Sequence, residues 1–385
     1  MREFAITIYL LAYKLLFTIF KLLPLQNKVT FLISFIDNPM AVYGEIREQN
    51  NNFQTIFLCN NPRITVFFEE MGDPTYALES KNIAHTIKGI YHLATSKHII
   101  ADNYYGFLAV TKFKRAVTCT QIWHAVGAIK QFGAMDASNT NRTRAAIKRF
   151  HKVYNRFDQF VVGSDLMADI FKAAMPAPTA IFLKTGVPRT DFFFDEAKHQ
   201  EVRNWHYRKN NFLQDKKIIL YAPTFRKDAQ NNPVSQLNLE KMYVALKDDY
   251  VLLIKQHPGS KEKLTVSPEH ASFVFDYSDE IYTNDLLIIT DILITDYSSL
   301  PMEFVFRKQK MIFYAYDLDS YQKENGLWED YEASVPGPVV RNADEMIDAI
   351  LNQDVNLEQL DAYAQKWIQY CDGKSSESLV NHLLG

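Results

Sequence analysis

The sequence predicts an α/β protein of two Rossmann-like, parallel-sheet halves facing a cleft, preceded by an amphipathic membrane helix. Three observations point there. The chain has 385 residues, more than one compact core usually organises. After Pro24, short apolar runs alternate with stretches of helical periodicity, the pattern of parallel α/β units. Between two such series lies a glycine- and proline-bearing break, "KTGVPRTDFFFDE" from 184 to 196.

Residues 1–25 stand apart. "FAITIYLLAYKLLFTIFKLLP" carries Lys14 and Lys21 inside its apolar stretch and has no small-residue cleavage site, which argues against a signal peptide. On a helical projection Glu3, Thr7, Lys14, Thr18 and Lys21 share a stripe about 60° wide, with apolar residues around the rest. That pattern predicts a helix lying in a membrane interface, its lysines reaching the headgroups; a helix buried in the protein and a true span are the alternatives.

The first half is expected over 26–185. Its strands are expected at "KVTFLISF" (28–35), "FQTIFLCN" (53–60), "RITVFF" (63–68), "SKHIIADN" (96–103), "AVTCTQIWH" (116–124) and "DQFVVGS" (158–164), with helices over 88–94 and 141–157. In the second helix Ile147, Phe150, Val153, Tyr154 and Phe157 share one face, and Arg142, Lys148, Arg149, Lys152 and Arg156 share the other. A linker follows over 186–215, then a second half over 216–350. Its strands are expected at "KKIILYAPTFR" (216–226), "YVLLIKQHP" (250–258, ended by Pro258), "SFVFDYS" (272–278), "DILITDYSS" (291–299) and "KMIFYAY" (310–316). Residues 351–385 read as helices packing back toward the first half.

Net charge of −3 leaves no global footprint for nucleic acid. From 107 to 156, however, ten Lys/Arg face a single acid, Asp136, which makes either a solvated face or a contact to an anionic surface. Cys59, Cys119 and Cys371 are scattered without a CxxC, so neither a zinc site nor a disulfide framework is indicated and a reducing, cytoplasmic setting fits. No G-x-G-x-x-G or Walker A sequence is present, which disfavours a nicotinamide dehydrogenase. Asp317-Leu-Asp319 has the spacing of a divalent-metal D-x-D, but it follows a strand into a loop, where a turn role is commoner. No metal or cofactor is assigned.

Chemistry should gather beyond the carboxyl ends of the strands. In "ILITDYSSLPMEF" a buried strand turns at Asp296–Ser299 into a helix, where Ser298 and Ser299 could add hydroxyl donors to backbone N–H groups for a phosphate or diphosphate. Ser299 and Glu303 read equally well as a capping box. "KQHP" places His257 at one strand end, and "YAPTFR" places Thr224 and Arg226 at another, the arginine able to fork onto phosphate oxygens. "QIWHAVGAIKQFG" sets His124 at the end of a first-half strand, ahead of a glycine turn at Gly127. A lone histidine is more often structural; one in each half, both at strand ends, points to function. Asp102, Asn103 and Lys130 are candidate contacts for sugar hydroxyls or a lipid diphosphate, although capping explains Asp102 and Asn103 nearly as well.

Taken in order, "WHAVGAIKQFG", "VGS", "TGVPRTD", "YAPTFR", "KQHP" and "ITDYSSLPMEF…FYAYDLDSY" resemble the CDP-glycerol glycerophosphotransferase family of wall teichoic acid synthesis, from about residue 28 to the end. Polymerase-type members read W-H-G-T-P at the first histidine. Here the sequence is Trp123-His124-Ala125-Val126-Gly127, behind a short hydrophobic helix, which resembles the glycerol-phosphate primase branch.

The resemblance implies a GT-B-like fold whose second half holds CDP-glycerol and whose membrane-docked first half receives a lipid-linked acceptor. One sn-glycerol 3-phosphate would pass from CDP-glycerol to N-acetylmannosaminyl-N-acetylglucosaminyl-diphospho-undecaprenol, releasing CMP at the cytoplasmic face of the membrane. His124 is then expected as general base. His257, Arg226, Ser298 and Ser299 would hold the diphosphate, and Glu303 would accept ribose hydroxyls. Asp296, Tyr297, Gly186, Pro188 and Arg189 also match the family pattern, Arg189 and Asp191 as a pair setting the linker. The runners-up are a chain-extending transferase of the same family, a GT-B glycosyltransferase and a non-catalytic membrane scaffold for the other teichoic acid enzymes.

Overall fold

A computed structural model describes residues 2–49, 52–78, 82–226, 233–257, 260, 264–280 and 282–385. Pro258 therefore lies outside the described residues. The chain divides into two compact units: residues 1–126, 132–191 and 368–385 make the first, and 127–131 with 192–367 make the second.

The first unit is built on seven parallel strands: β1 (Gln26–Ile33), β2 (Gln54–Cys59), β3 (Thr75–Ala77), β4 (Ser96–Ala101), β5 (Thr118–Gln121), β6 (Gln159–Val161) and β7 (Ile181–Leu183). Their order is β3-β2-β1-β4-β5-β6-β7, so the winding reverses between β1 and β4. Strands buried on both faces read as continuous apolar runs, which is why "VTFLI" and "IFLC" were legible. The run "RITVFF" is not a strand. It lies in the helix Pro62–Glu70, because Pro62 opens the first turn and the Asn61 side chain accepts the Arg63 N–H at 2.9 Å. The short β3 and β7 went unread.

The helix Arg2–Phe20 packs on this unit with Tyr13 and Phe17 buried. Tyr13 stacks on Phe107 with ring centroids 4.9 Å apart, and Arg149 grips the Glu3 carboxylate at 2.7 and 3.0 Å. Its opposite stripe, Phe4, Ile8, Leu11, Leu15, Ile19 and Leu22, is exposed. By length and composition the segment Glu3–Phe20 could cross a membrane.

The far end of the chain also joins this unit. Leu379, Val380 and Leu383 of the helix Ser375–Leu384 enter the core around Val29, Phe31, Phe57 and Val161. Asp191 secures the start of that helix, accepting the N–H groups of Ser375 and Ser376 at 2.9 and 2.7 Å. Asp191 therefore does not pair with Arg189, which contacts Asp37 at 3.3 Å instead.

The second unit carries six parallel strands: β8 (Lys217–Tyr221), β9 (Tyr250–Ile254), β10 (Val274–Asp276), β11 (Ile292–Thr295), β12 (Lys310–Tyr314) and β13 (Val339–Val340). Their order, β10-β9-β8-β11-β12-β13, reverses between β8 and β11. The helix Leu357–Trp367 stays with this unit, so the tail is divided between the two. Residues 127–131 are an outlier in sequence. They reach this unit from the His124 loop, where Lys130 forms an antiparallel bridge with Leu327 and the Trp328 N–H bonds to the Ile129 carbonyl at 3.1 Å. Gly127 is packed so closely that a Cβ would lie 2.5 Å from Trp367 and 2.6 Å from Met302.

Candidate functional site

In an open parallel sheet the reversal of winding leaves a crevice at the strand ends, and both units place their chemistry there. In the first unit Ser34 follows β1, Asp102 follows β4 and His124 follows β5. His124 Nδ1 lies 2.9 Å from the Asp102 carbonyl oxygen. A carbonyl can only accept, so Nδ1 carries the proton and Nε2 of the neutral ring keeps a lone pair.

The ring is held on several sides. Phe35 stacks on it at 4.5 Å and Trp123 lies against it at 4.2 Å. Trp123 has φ of 56°, a left-handed conformation uncommon for a side chain of that size. It is kept there by Gln121 Oε1, which accepts its N–H, and by the Asn38 amide, which donates to the Ile122 and Trp123 carbonyls at 3.1 and 3.0 Å. Arg189 donates from Nη1 to the His124 carbonyl at 2.9 Å. Burial, with the Arg189 charge, pushes the imidazole down to about 4 despite the bond to Asp102, so it is neutral across the physiological range.

Asp102 was a candidate sugar contact, and its surroundings rule that out. The side chain is buried and accepts from the Ser34 and Phe35 N–H groups at 2.8 Å and from the Tyr105 hydroxyl at 2.8 Å. Burial outweighs those donors and raises its pKa to about 7. It is a positioning residue for the His124 loop. Asn103 turns inward as well, accepting the Tyr104 N–H on its side chain and the Gln121 amide on its carbonyl.

In the second unit Thr224 and Arg226 follow β8, His257 follows β9, and Asp296 to Ser299 follow β11. The guanidinium of Arg226 is not available to fork onto phosphate. Its Nε and Nη2 donate to Asp317 at 2.7 and 3.0 Å, Nη2 donates to Asp296 at 2.9 Å, and Nη1 donates to the Thr224 carbonyl at 2.8 Å. Tyr321 and Tyr297 lie against it, 4.6 and 5.1 Å from ring centroid to guanidinium carbon. Burial alone would lower its pKa; the Asp317 bond and the two carboxylate charges outweigh burial and raise it. Asp317 is thereby spent on Arg226 and on the Tyr297 hydroxyl, not on a D-x-D site. Among the described residues no group of three or more His, Cys, Asp or Glu side chains could hold a metal ion.

The clamp shapes the turn around it. Asp296 also accepts the Thr224 N–H at 2.7 Å, and Thr224 Oγ1 is buried with no hydrogen-bond partner among the described residues. After β11 the helix is only the four residues Pro301–Phe304, with Leu300 before it and no side-chain cap. The Ser299–Glu303 capping box is therefore not formed; the Leu300 N–H bonds to Ser298 Oγ at 3.2 Å instead. Ser298 and Ser299 are half-buried, Glu303 is buried, and His257 is exposed beside Phe225.

Lys130, expected on the acceptor side, belongs to this second unit. Burial lowers its pKa, Asp296 opposes that and Arg226 adds to it, while the Lys130 charge in turn lowers His257. No protein group among the described residues forms an ion pair with its ammonium. An unmatched, partly desolvated cation within electrostatic reach of His257 suits an anion.

Over residues 15–385 the chain matches the family described as CDP-Glycerol:Poly(glycerophosphate) glycerophosphotransferase. It belongs to that family.

This glycerophosphotransferase is 35% identical over 360 residues to the teichoic acid glycerol-phosphate primase of Bacillus subtilis (strain 168), covering 93% of this chain and 92% of the relative. It is 34% identical to the primase of Bacillus spizizenii, with the same two shares. Among solved structures, the wall teichoic acid polymerase TagF superposes with a TM-score of 0.77 at 22% identity, covering 98% of this chain and 95% of that one, which shows the α/β fold with two parallel sheets. Sequence reasoning missed the tyrosines around Arg226 and the Asn38, Asp37 and Phe35 contacts around the His124 loop. The motif "TGVPRTD" did carry a signal for Arg189, whose partners only the fold brings together.

Proposed function

We propose that this glycerophosphotransferase is a teichoic acid glycerol-phosphate primase. It transfers one sn-glycerol 3-phosphate from CDP-glycerol to N-acetylmannosaminyl-N-acetylglucosaminyl-diphospho-undecaprenol and releases CMP. The observation that carries the reading is the Asp102 carbonyl on His124 Nδ1, which leaves Nε2 as a fixed, unprotonated acceptor for a hydroxyl proton. Among the glycerol-phosphate relatives identity supports the primase over chain extension: 35% and 34% to the two Bacillus primases, against 28% to the Bacillus spizizenii poly(glycerol phosphate) polymerase.

In this reading the units form a GT-B-like pair, the second holding CDP-glycerol and the first receiving the acceptor. The acceptor hydroxyl gives its proton to His124 Nε2 as its oxygen attacks the phosphorus that bears glycerol. The bond from that phosphorus to the CMP oxygen breaks, and CMP leaves with the electron pair. Lys130, His257, Thr224, Ser298 and Ser299 supply positive charge and donors to the diphosphate, and Glu303 accepts from the ribose. Arg226 touches none of it and keeps Asp296 and Asp317 in place.

The N-terminal helix lies on the cytoplasmic face of the membrane, its exposed stripe in the acyl boundary. Lys21, Lys112, Lys114 and Arg156, close enough to depress the Lys21 pKa together with burial, meet anionic headgroups at about 1 kcal/mol per residue near the surface.

The test is a mass spectrum of the lipid-linked disaccharide after long incubation with protein and excess CDP-glycerol. A single added glycerol phosphate supports the primase. A ladder of additions would make the enzyme a chain extender, and an untouched acceptor beside an active control would sink the reading.

A further inference from the structure

Three consecutive carbonyls, those of Ile122, Trp123 and His124, each accept a side-chain donor. Asn38 Nδ2 donates to the first two at 3.1 and 3.0 Å, and Arg189 Nη1 donates to the third at 2.9 Å. The donors are tied to each other. The Arg189 N–H bonds to Asn38 Oδ1 at 2.9 Å, and Arg189 Nη2 reaches Asp37, the neighbour of Asn38, at 3.3 Å. Asn38 itself is 1% exposed, in the first turn of the helix Asp37–Glu48. Its partners fix the orientation of its amide: carbonyls only accept and an N–H only donates, so Nδ2 faces the loop and Oδ1 faces Arg189.

Those bonds and the backbone at Trp123 imply one another. In an extended strand successive carbonyls point to opposite sides, so the Ile122 and Trp123 carbonyls can converge on one amide only where the residue between them leaves that geometry. Trp123 does so, at φ of 56°. Glycine would take this conformation without strain, but position 123 also supplies a ring, 4.2 Å from the His124 imidazole and 4.8 Å from Phe132. The turn lies one residue before His124. It therefore sets where the Cα–Cβ bond of His124 points, and so whether Nδ1 meets the Asp102 carbonyl.

We infer that Asn38 is a positioning residue for proton transfer: by gathering the Ile122 and Trp123 carbonyls it holds the turn that lays His124 Nδ1 on the Asp102 carbonyl and leaves Nε2 unprotonated. This rests on the reading above that His124 is the general base. A side chain from another segment thus fixes both the direction and the tautomer of the imidazole, with Arg189 bracing the next carbonyl.

Two readouts separate the inference from the reading on which it rests. Asn38→Asp is nearly isosteric and still accepts the Arg189 N–H, but it sets an oxygen against two carbonyl oxygens in place of a donor. Asn38→Ser keeps a single hydroxyl donor without adding charge, and serves where Asn38→Asp does not fold. The first readout needs no turnover. Proton–nitrogen correlation spectra of the full chain carrying isotope-labelled histidine tell protonated from bare ring nitrogens, the His124 signals being assigned by their loss in His124→Gln. The native chain should show His124 protonated on Nδ1 alone, and both variants a mixture of tautomers.

The second readout is transfer from CDP-glycerol to the lipid-linked disaccharide. kcat should fall about 10²-fold in Asn38→Asp, as for a reacting group displaced by about 1 Å, and by less in Asn38→Ser, with KM for CDP-glycerol unchanged. A folded variant that keeps the native Nδ1 signal, or whose kcat stays within about twofold of the native value, would overturn the inference and leave the primase reading standing. Tautomer mixing in the variants of a chain that transfers nothing to this acceptor would sink the primase reading and leave the hold of Asn38 on the imidazole intact.

Discussion

The Asp102 carbonyl oxygen accepts the Nδ1 proton of His124 at 2.9 Å, and the Asp102 carboxylate is turned away onto the Ser34 and Phe35 N–H groups. One residue thus fixes the tautomer with its backbone and the loop with its side chain. His124→Ala and His124→Gln should each lower kcat by about 10²–10⁴-fold, the range for losing a general base, with thermal unfolding little changed. Comparable activity in either variant, measured as CMP release in the presence of acceptor, would remove the imidazole from the chemistry.

The pH profile follows from the same ring. With its pKa at about 4, His124 should leave kcat/KM flat from pH 6 to 8 as far as this group is concerned, with the acid limb well below 6.5. Stability should carry the same sign. Between pH 6.5 and 4 the unfolded chain binds the imidazole proton and the folded chain does not, so the contribution is complete above 6.5 and lost as pH falls. Asp102, raised from 3.8 to about 7, acts oppositely, favouring the fold at low pH and less as pH rises through that window. The unfolding free energy of the native chain minus that of His124→Gln should therefore grow from pH 4 to 6.5, by about 3 kcal/mol at most. A constant difference in urea titrations would contradict the described surroundings of the ring.

Removing Arg226 should damage the fold before the chemistry. Arg226→Ala leaves Asp296 and Asp317 buried without their partner, a change that typically costs about 3–5 kcal/mol. Arg226→Lys cannot reproduce the forked contact to both carboxylates and should recover only part of the loss. Denaturant midpoints within experimental error of the native chain would mean the clamp contributes no net stability.

Lys130→Met keeps the apolar stem and removes the ammonium. Losing a charge-assisted contact of about 1.5–3 kcal/mol should raise KM for CDP-glycerol roughly tenfold to a hundredfold, with KM for the acceptor unchanged. An effect confined to the acceptor KM would return Lys130 to the side of the reaction that its place in the sequence suggested.

The exposed stripe of the first helix gives a physical separation. Leu11→Asp and Leu15→Asp together should reduce co-sedimentation with vesicles containing anionic lipid, while activity on a short-tailed, water-soluble acceptor is retained. Unchanged sedimentation would place membrane contact elsewhere.

The sheets were legible because parallel strands buried on both faces are written as unbroken apolar runs. "RITVFF" misled because a six-residue apolar run fits a strand or a helix equally, and the deciding residues were Asn61 and Pro62 just ahead of it. The histidines and the serine turn were legible as types at strand ends. What no spacing shows is which partner a long side chain chooses: Arg226 spends itself on Asp317, 91 positions on, and Arg189 bonds to the His124 carbonyl from 65 positions away. Nor does spacing show that Lys130 groups with the second unit, since residues 127–131 leave the His124 loop to join it.

The packing of Leu379, Val380 and Leu383 against strands laid down from residue 26 onward sets a schedule for biogenesis. As the polypeptide emerges from the ribosome, the β1 to β7 sheet exists for the time of roughly two hundred further peptide bonds without the helix that seals its apolar face, at about 5–20 residues per second. During those seconds the second unit can complete its own core, so the half that begins first is finished last. The nascent N-terminal region is therefore the part that most needs shielding from its neighbours, and its exposed apolar leader helix lengthens the surface to be shielded.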